Sequence, residues 1–251
     1  MRVIRKVGME PVYFRWNEDR AKLKDVDGYF LVGGFTSSRG PFYQIAGRVT
    51  GGGVSGVLFA PGVAVATGQS QGCAPVGPTR TVTEAVENVI VTLDGRKPIE
   101  ALKEDLGVKN MRGLQGLIGS IHAAFPVEGS DTGDYTVRNL VGADPVRGWL
   151  AVGGPVATGD RIMFVRRDPK SAQIDLGRMT GALKRRIGGR PKAGLFVSCI
   201  GRGASMFGGE GREIGLIRAE LGDFPLVGFY AGGEISNARL YGYTGVLVLF
   251  L

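Results

Sequence analysis

Hydrophobic positions in this chain fall mostly into short runs punctuated by glycine, such as Tyr29-Phe30-Leu31-Val32 and Val246-Leu247-Val248-Leu249. Runs of this length bounded by turn residues read as strands. They predict strands at 11–14, 29–33, 42–49, 54–59 and 63–69, with Gly51-Gly52-Gly53 and Pro61-Gly62 as turns. Residues 80–93 alternate around Glu87-Asn88, the pattern of a hairpin. Further strands are expected at 134–141, 148–152, 161–166, 194–199, 225–230 and 241–250, while 107–120 follows neither period. Three segments have helical spacing. Ile99, Leu102 and Leu106 follow Pro98 and end at Gly107; Leu176, Met179, Leu183 and Ile187 end at Gly188-Gly189; Ile214, Ile217 and Leu221 end at Gly222. In the second, Asp175 lies near the start and Lys184, Arg185 and Arg186 near the end, as the helix dipole favours. The expected class is α+β, strand-rich, with largely antiparallel sheets and a few covering helices. The short helix at Pro98 marks the boundary between two subdomains, 1–97 and 98–251.

Composition supports a folded chain. Hydrophobic residues make up 43% of 251, enough for a sizeable core. Glycine, at 43 residues, has no three-residue period, so collagen is excluded and tight turns are indicated. No apolar stretch approaches the roughly 20 residues of a membrane-crossing helix, so no membrane insertion is expected. Met1-Arg2-Val3-Ile4-Arg5-Lys6 lacks the apolar core of a signal peptide. Two cysteines, Cys73 and Cys199, cannot make a disulfide framework, and a reduced cytoplasmic setting is expected.

Charge is concentrated. Residues 161–192 hold ten basic and two acidic side chains, so this segment carries the whole net charge of +8. A solvated helix end explains it; an acidic partner docking there is the functional alternative. No aromatic residue interleaves after Phe164, which argues against nucleic acid.

Familiar catalytic patterns fail on inspection. Gly53-Val54-Ser55-Gly56-Val57 lacks the second glycine of a nucleophile elbow. Gly201-Arg202-Gly203-Ala204-Ser205 has neither the spacing nor the ending of a P-loop, and Met206 breaks a dinucleotide fingerprint. His122 is the one histidine, so no histidine-rich metal site exists. It reads as a hydrogen-bonded structural residue at a loop edge or, alternatively, as an axial haem ligand or general base. Cys199 reads as a small buried residue or as a thiolate activated by a neighbouring arginine. A non-enzymatic protein is expected.

What remains is a pair of glycine-rich strand ends. Ser198-Cys199-Ile200-Gly201-Arg202-Gly203 brings backbone N–H groups and a guanidinium fork; Gly228-Phe229-Tyr230-Ala231-Gly232-Gly233-Glu234 brings two aromatic walls, a glycine turn and an acid. If the strands are neighbours, Cys199, Arg202, Gly203, Phe229, Tyr230, Gly233 and Glu234 would line a ligand site. Arg202 and Glu234 would then pair with each other or hold the two ends of a zwitterion.

These same segments carry a resemblance. Ser198 to Gly203, Met206-Phe207-Gly208 and Phe224 to Ile235 look like the C-terminal FIST domain (F-box and intracellular signal transduction proteins). Tyr135 to Pro145 and Gly159-Asp160-Arg161-Ile162 are similar to that domain's entry. Val32-Gly33-Gly34 and Pro75 to Pro98 resemble the latter half of the N-terminal FIST domain. On this reading 1–97 is a partial N-terminal and 98–251 a C-terminal FIST domain. The resemblance implies a sensory module for a small ligand such as an amino acid, signalling or assembling through a protein partner and possible as a homo-oligomer. Haem-binding relatives that report nitric oxide imply the alternative of a haem-based gas sensor through His122. A structural or assembly protein using 161–192 is the third expectation.

Overall fold

The computed structural model describes residues 32–36, 40, 41, 43–45, 49–51, 56, 62–130, 133–237 and 239–251. The strand expected at 11–14, all but Gly56 of that at 54–59, much of those at 29–33 and 42–49, and most of Gly53–Val57 lie outside them.

One unit is an antiparallel barrel. Its strands are β6 (Arg80–Val86), β7 (Val89–Leu93), β8 (Ile121–Pro126), β9 (Tyr135–Asp144), β10 (Trp149–Val152) and β11 (Arg161–Arg167). They run in the order β6-β7-β10-β9-β8-β11, and β11 closes the ring onto β6. The short β5 (Cys73–Pro75) pairs with the far end of β11. The hairpin expected around Glu87-Asn88 is present, with Glu87 at φ 54°. Val82, Ile90, Leu93, Leu150, Ile162 and Phe164 form the core, joined by Ile99 and Leu102 of α1 (Pro98–Leu106) and Leu114 of α2 (Met111–Gln115). Gly107 ends α1 in the left-handed conformation the sequence predicted.

The second unit is a sheet in the order β1-β13-β12-β15-β4: β1 (Gly33–Thr36), β13 (Leu226–Ser236), β12 (Ala193–Cys199), β15 (Gly245–Phe250) and β4 (Val65–Ser70). β14 (Arg239–Tyr241) also pairs with β13, and β2 (Tyr43–Ile45) with β3 (Val49–Gly51) forms a separate hairpin. β12 and β13 are parallel because a helical crossover, α4 (Ala204–Phe207) and α5 (Arg212–Leu221), joins them. Here Gly228 is required: a Cβ would overlap the Phe196 carbonyl of the neighbouring strand. With α3 (Pro169–Ile187), these helices cover one face through Leu176, Met179, Leu183, Ile217 and Leu221 packed on Phe196, Leu247 and Leu249. The fold class is therefore α+β, strand-rich and largely antiparallel, as expected.

The sheets cross the division expected at 97/98. β4 belongs to the helix-covered sheet, whereas β6 and β7 complete the barrel with strands from beyond 98. Several boundaries also differ. α3 begins at Pro169 rather than near Asp175, because Asp168 caps it by accepting from the Lys170 and Ser171 amides at 3.2 and 2.9 Å. β8 falls where no strand was expected. β13 runs on through Gly232-Gly233 instead of turning, and the pairing with β1 shifts register between Ala231 and Glu234. The strand expected at 241–250 is broken by Tyr243 at φ 62°.

Candidate functional site

β12 ends at Cys199, and the chain turns through Ile200 to Gly203 before α4. Gly203, at φ 70° and ψ −153°, makes this turn, and a Cβ there would lie 3.2 Å from the Tyr230 hydroxyl. A cavity of about 430 Å³ opens at this end of the parallel strand pair, lined by Ile200, Arg202, Gly203, Ala204, Ser205, Glu210, Gly211 and Tyr230. Crossover connections from a parallel pair place loops and helix starts at such strand ends, which favours ligand sites there. Of the residues expected to form a site, Arg202, Gly203 and Tyr230 meet at this cavity. Cys199 is buried in β12. Phe229 alternates with Tyr230 and points to the other face of the sheet. Gly233 lies against Leu240, and Glu234 is fully buried further along β13.

The charge of Arg202 is spent inside the protein. Its side chain is 1% exposed and pairs with Glu213, 6% exposed, in the first turn of α5. Nε and Nη2 lie 2.8 and 2.7 Å from Glu213 Oε1, and Ser198 Oγ donates to Oε2 at 2.9 Å. Nη1 reaches the carbonyls of Ser70 and Tyr243 at 3.4 Å, and Nη2 the Ser70 hydroxyl at 3.3 Å. The guanidinium lies 5.0 Å from the Phe207 ring centre. This corrects the Arg202–Glu234 pairing expected from sequence. Arg202 turns to the helix side of the sheet, where α5 delivers Glu213. Glu234 lies three residues beyond Ala231, the last position of β13 paired with β12. Sequence reasoning missed Glu213. An acid in the first turn of a helix reads as a dipole partner, and only the crossover brings it under Arg202.

Glu234 Oε2 accepts from the amide and hydroxyl of Thr244 at 3.1 and 2.8 Å, while Oε1 has no partner among the described residues. Burial raises its pKa above the usual carboxylate value, against the hydrogen bonds from Thr244. Burial also raises the Cys199 thiol and pushes Cys73 up to about 12. Neither cysteine is an activated thiolate. Iodoacetamide at neutral pH is expected to leave both unmodified in the native protein and to label both in guanidinium. Native labelling of Cys199 would contradict this assignment and reopen a nucleophilic role.

His122 sits inside β8, 6% exposed, and neither ring nitrogen has a partner among the described residues. The hydrogen-bonded loop-edge residue expected from sequence is thus corrected, since the strand buries the ring away from donors and acceptors. The ring stacks on Tyr243, with centroids 4.6 Å apart and planes at 28°. Arg167 lies over the same tyrosine and donates to the Gly201 carbonyl. Burial, reinforced by Arg167, pushes the His122 pKa down to about 4. The ring does not line the strand-end cavity, and Tyr243 stacks against it. These surroundings do not fit an iron porphyrin, and no role is assigned through one.

The basic segment is partly engaged within the chain. Lys184 pairs with Glu220 at 3.2 Å, Arg186 donates to the Thr67 carbonyl and Lys192 to that of Leu251. Arg185 and Arg190 are exposed at the end of α3 and just beyond it. Among the described residues no helix is long and apolar enough to cross a membrane.

Comparison with known proteins adds the family. The FIST N domain matches residues 20–96 and the FIST C domain residues 96–237. Two uncharacterized proteins of Mycobacterium tuberculosis are each 36% identical over 243 residues, covering 90% of this chain and 62% of theirs. An uncharacterized protein of Mycobacterium bovis is 35% identical with the same coverage. The chain thus spans less than two thirds of the length of these relatives. The FIST C match extends over more than half of the chain and includes both strand ends of the cavity, and the chain belongs to the FIST family of signal-transduction sensory domains.

Proposed function

We propose that this chain is a non-catalytic ligand-binding module that holds a small zwitterionic or anionic metabolite, such as an amino acid, and reports it to a protein partner. The observation that carries this reading is the cavity at the ends of β12 and β13, whose lining includes the Tyr230 hydroxyl and the Glu210 carboxylate. The Tyr230 hydroxyl offers a donor to a carboxylate, and Glu210 offers a charge to an ammonium group. Arg202 acts beneath this floor as a strut rather than as the ligand's counter-ion, because Glu213 already neutralises it.

Thermal shift and calorimetry with the common L-amino acids and short dicarboxylates test the reading. A ligand that stabilises the protein is expected to bind about tenfold or more weakly to Glu210→Gln and to Tyr230→Phe, the loss of one charge-assisted or hydroxyl contact. If no compound in the set stabilises the protein, or if both variants bind like the parent, the cavity is not the site.

A further inference from the structure

A second cleft, between the barrel and α3, holds an unmet buried acceptor. It encloses about 340 Å³ and includes Gln71, Tyr135, Ile174, Asp175 and Arg178 in its lining. Gln71 is 7% exposed, and its Nε2 donates to the Tyr135 carbonyl at 3.3 Å. Its Oε1 is buried and accepts from nothing among the described residues. A buried amide oxygen in that state is uncommon in folded proteins and points to a missing donor. Asp175 Oδ2 accepts from the Gln71 amide and Oδ1 from Arg178 Nε, both at 2.6 Å, so each oxygen retains acceptor capacity. The Tyr135 hydroxyl is already committed to the Cys73 carbonyl at 2.5 Å. Thus the lining presents one buried acceptor without a donor, beside a carboxylate with capacity for another hydrogen bond.

We infer that this cleft binds a small primary ammonium group, one N–H on Gln71 Oε1 and the charge facing Asp175. Ile174, 63% exposed, provides an apolar wall for a short alkyl chain. Arg178 is half exposed at the rim, held through Nε by Asp175, and its charge opposes the incoming cation. This site is independent of the strand-end cavity and does not rest on the function proposed for it.

The test is a titration of the Glu210→Gln chain with ethylammonium chloride, followed by ¹⁵N-resolved NMR, with sodium acetate as the anionic control. The Glu210 substitution removes the acid of the other cavity, so the two sites are read separately. Ethylammonium is expected to give saturable shifts at the Gln71 side-chain amide and the Tyr135 backbone amide; acetate is not. Gln71→Leu should weaken this binding about tenfold, and Arg178→Met should tighten it severalfold. Saturation of the same resonances by acetate, or no shift with ethylammonium, overturns the inference. So does undiminished binding by Gln71→Leu. Should Gln71→Leu fail to fold, the exposed Arg178→Met change decides alone: tighter binding supports the site, and unchanged or weaker binding overturns it.

Discussion

Arg202→Ala is expected to destabilise the fold by about 3–5 kcal/mol, because it leaves the buried Glu213 carboxylate without its counter-charge. In a chain of this size that corresponds to a fall in Tm on the order of 10 °C. The loss extends beyond one ion pair. The guanidinium also ties the end of β12 to Ser70 at the end of β4 and to Tyr243 before β15. Arg202→Lys should recover only part of the loss, since an ammonium group cannot span Glu213 and two carbonyls in one plane. The double change Arg202→Met with Glu213→Leu should restore most of the stability, because it removes both charges at once. Differential scanning calorimetry of the four proteins makes the comparison. If Arg202→Ala melts with the parent while losing ligand affinity, Arg202 belongs to the ligand and not to the scaffold.

Acid should weaken the fold through His122. In the unfolded chain this histidine takes up a proton near its ordinary pKa of 6.5; in the folded protein it does so only near 4. Above about pH 6.5 both states carry a neutral ring, and the group has no effect on stability. As the pH falls from there towards 4, the unfolded state binds a proton that the folded state refuses, and stability drops. The full loss, present below about pH 4, is about 3–4 kcal/mol at the standard conversion for a shift of this size. Glu234 works in the opposite direction: its raised pKa favours proton uptake by the folded state. Comparing the parent with His122→Phe isolates the histidine. Urea midpoints at about pH 7 and about pH 4.5 should show the phenylalanine variant gaining on the parent only at the lower pH. An equal difference at both would show that the ring does not titrate across this window.

Much of the architecture can be read along the chain, and the reasons are local. The hairpin at Glu87-Asn88, the helix from Pro98 to Gly107 and the stripe Leu176, Met179, Leu183 and Ile187 rest on turn chemistry and periodicity, which neighbours in sequence encode. The same holds for the strand ends that became the cavity, since glycines beside an apolar run mark a turn wherever the strand is placed. β8 escaped because Ile121-His122-Ala123-Ala124-Phe125 is buried along its whole length and so has no alternation to detect. Gly232-Gly233 misled because glycine signals a turn locally, whereas the flanking pairs, Ala231 and Glu234 with β1 and Glu234 with β14, carry the strand across them.

Fold class, family and the place of a glycine-built pocket at the end of β12 are all legible along the chain. The tertiary structure alone decided which charges that pocket keeps. Glu213 lies 11 residues after Arg202 and Glu234 lies 32 residues after it, and nothing in that spacing prefers one over the other. The crossover places Glu213 beneath the guanidinium, while the strand carries Glu234 to Thr244. Only the assembled sheet and barrel bring Tyr243 against His122 and leave Gln71 Oε1 facing no donor. Spacing specifies elements, but burial and the pairing of distant charges are set when those elements pack together.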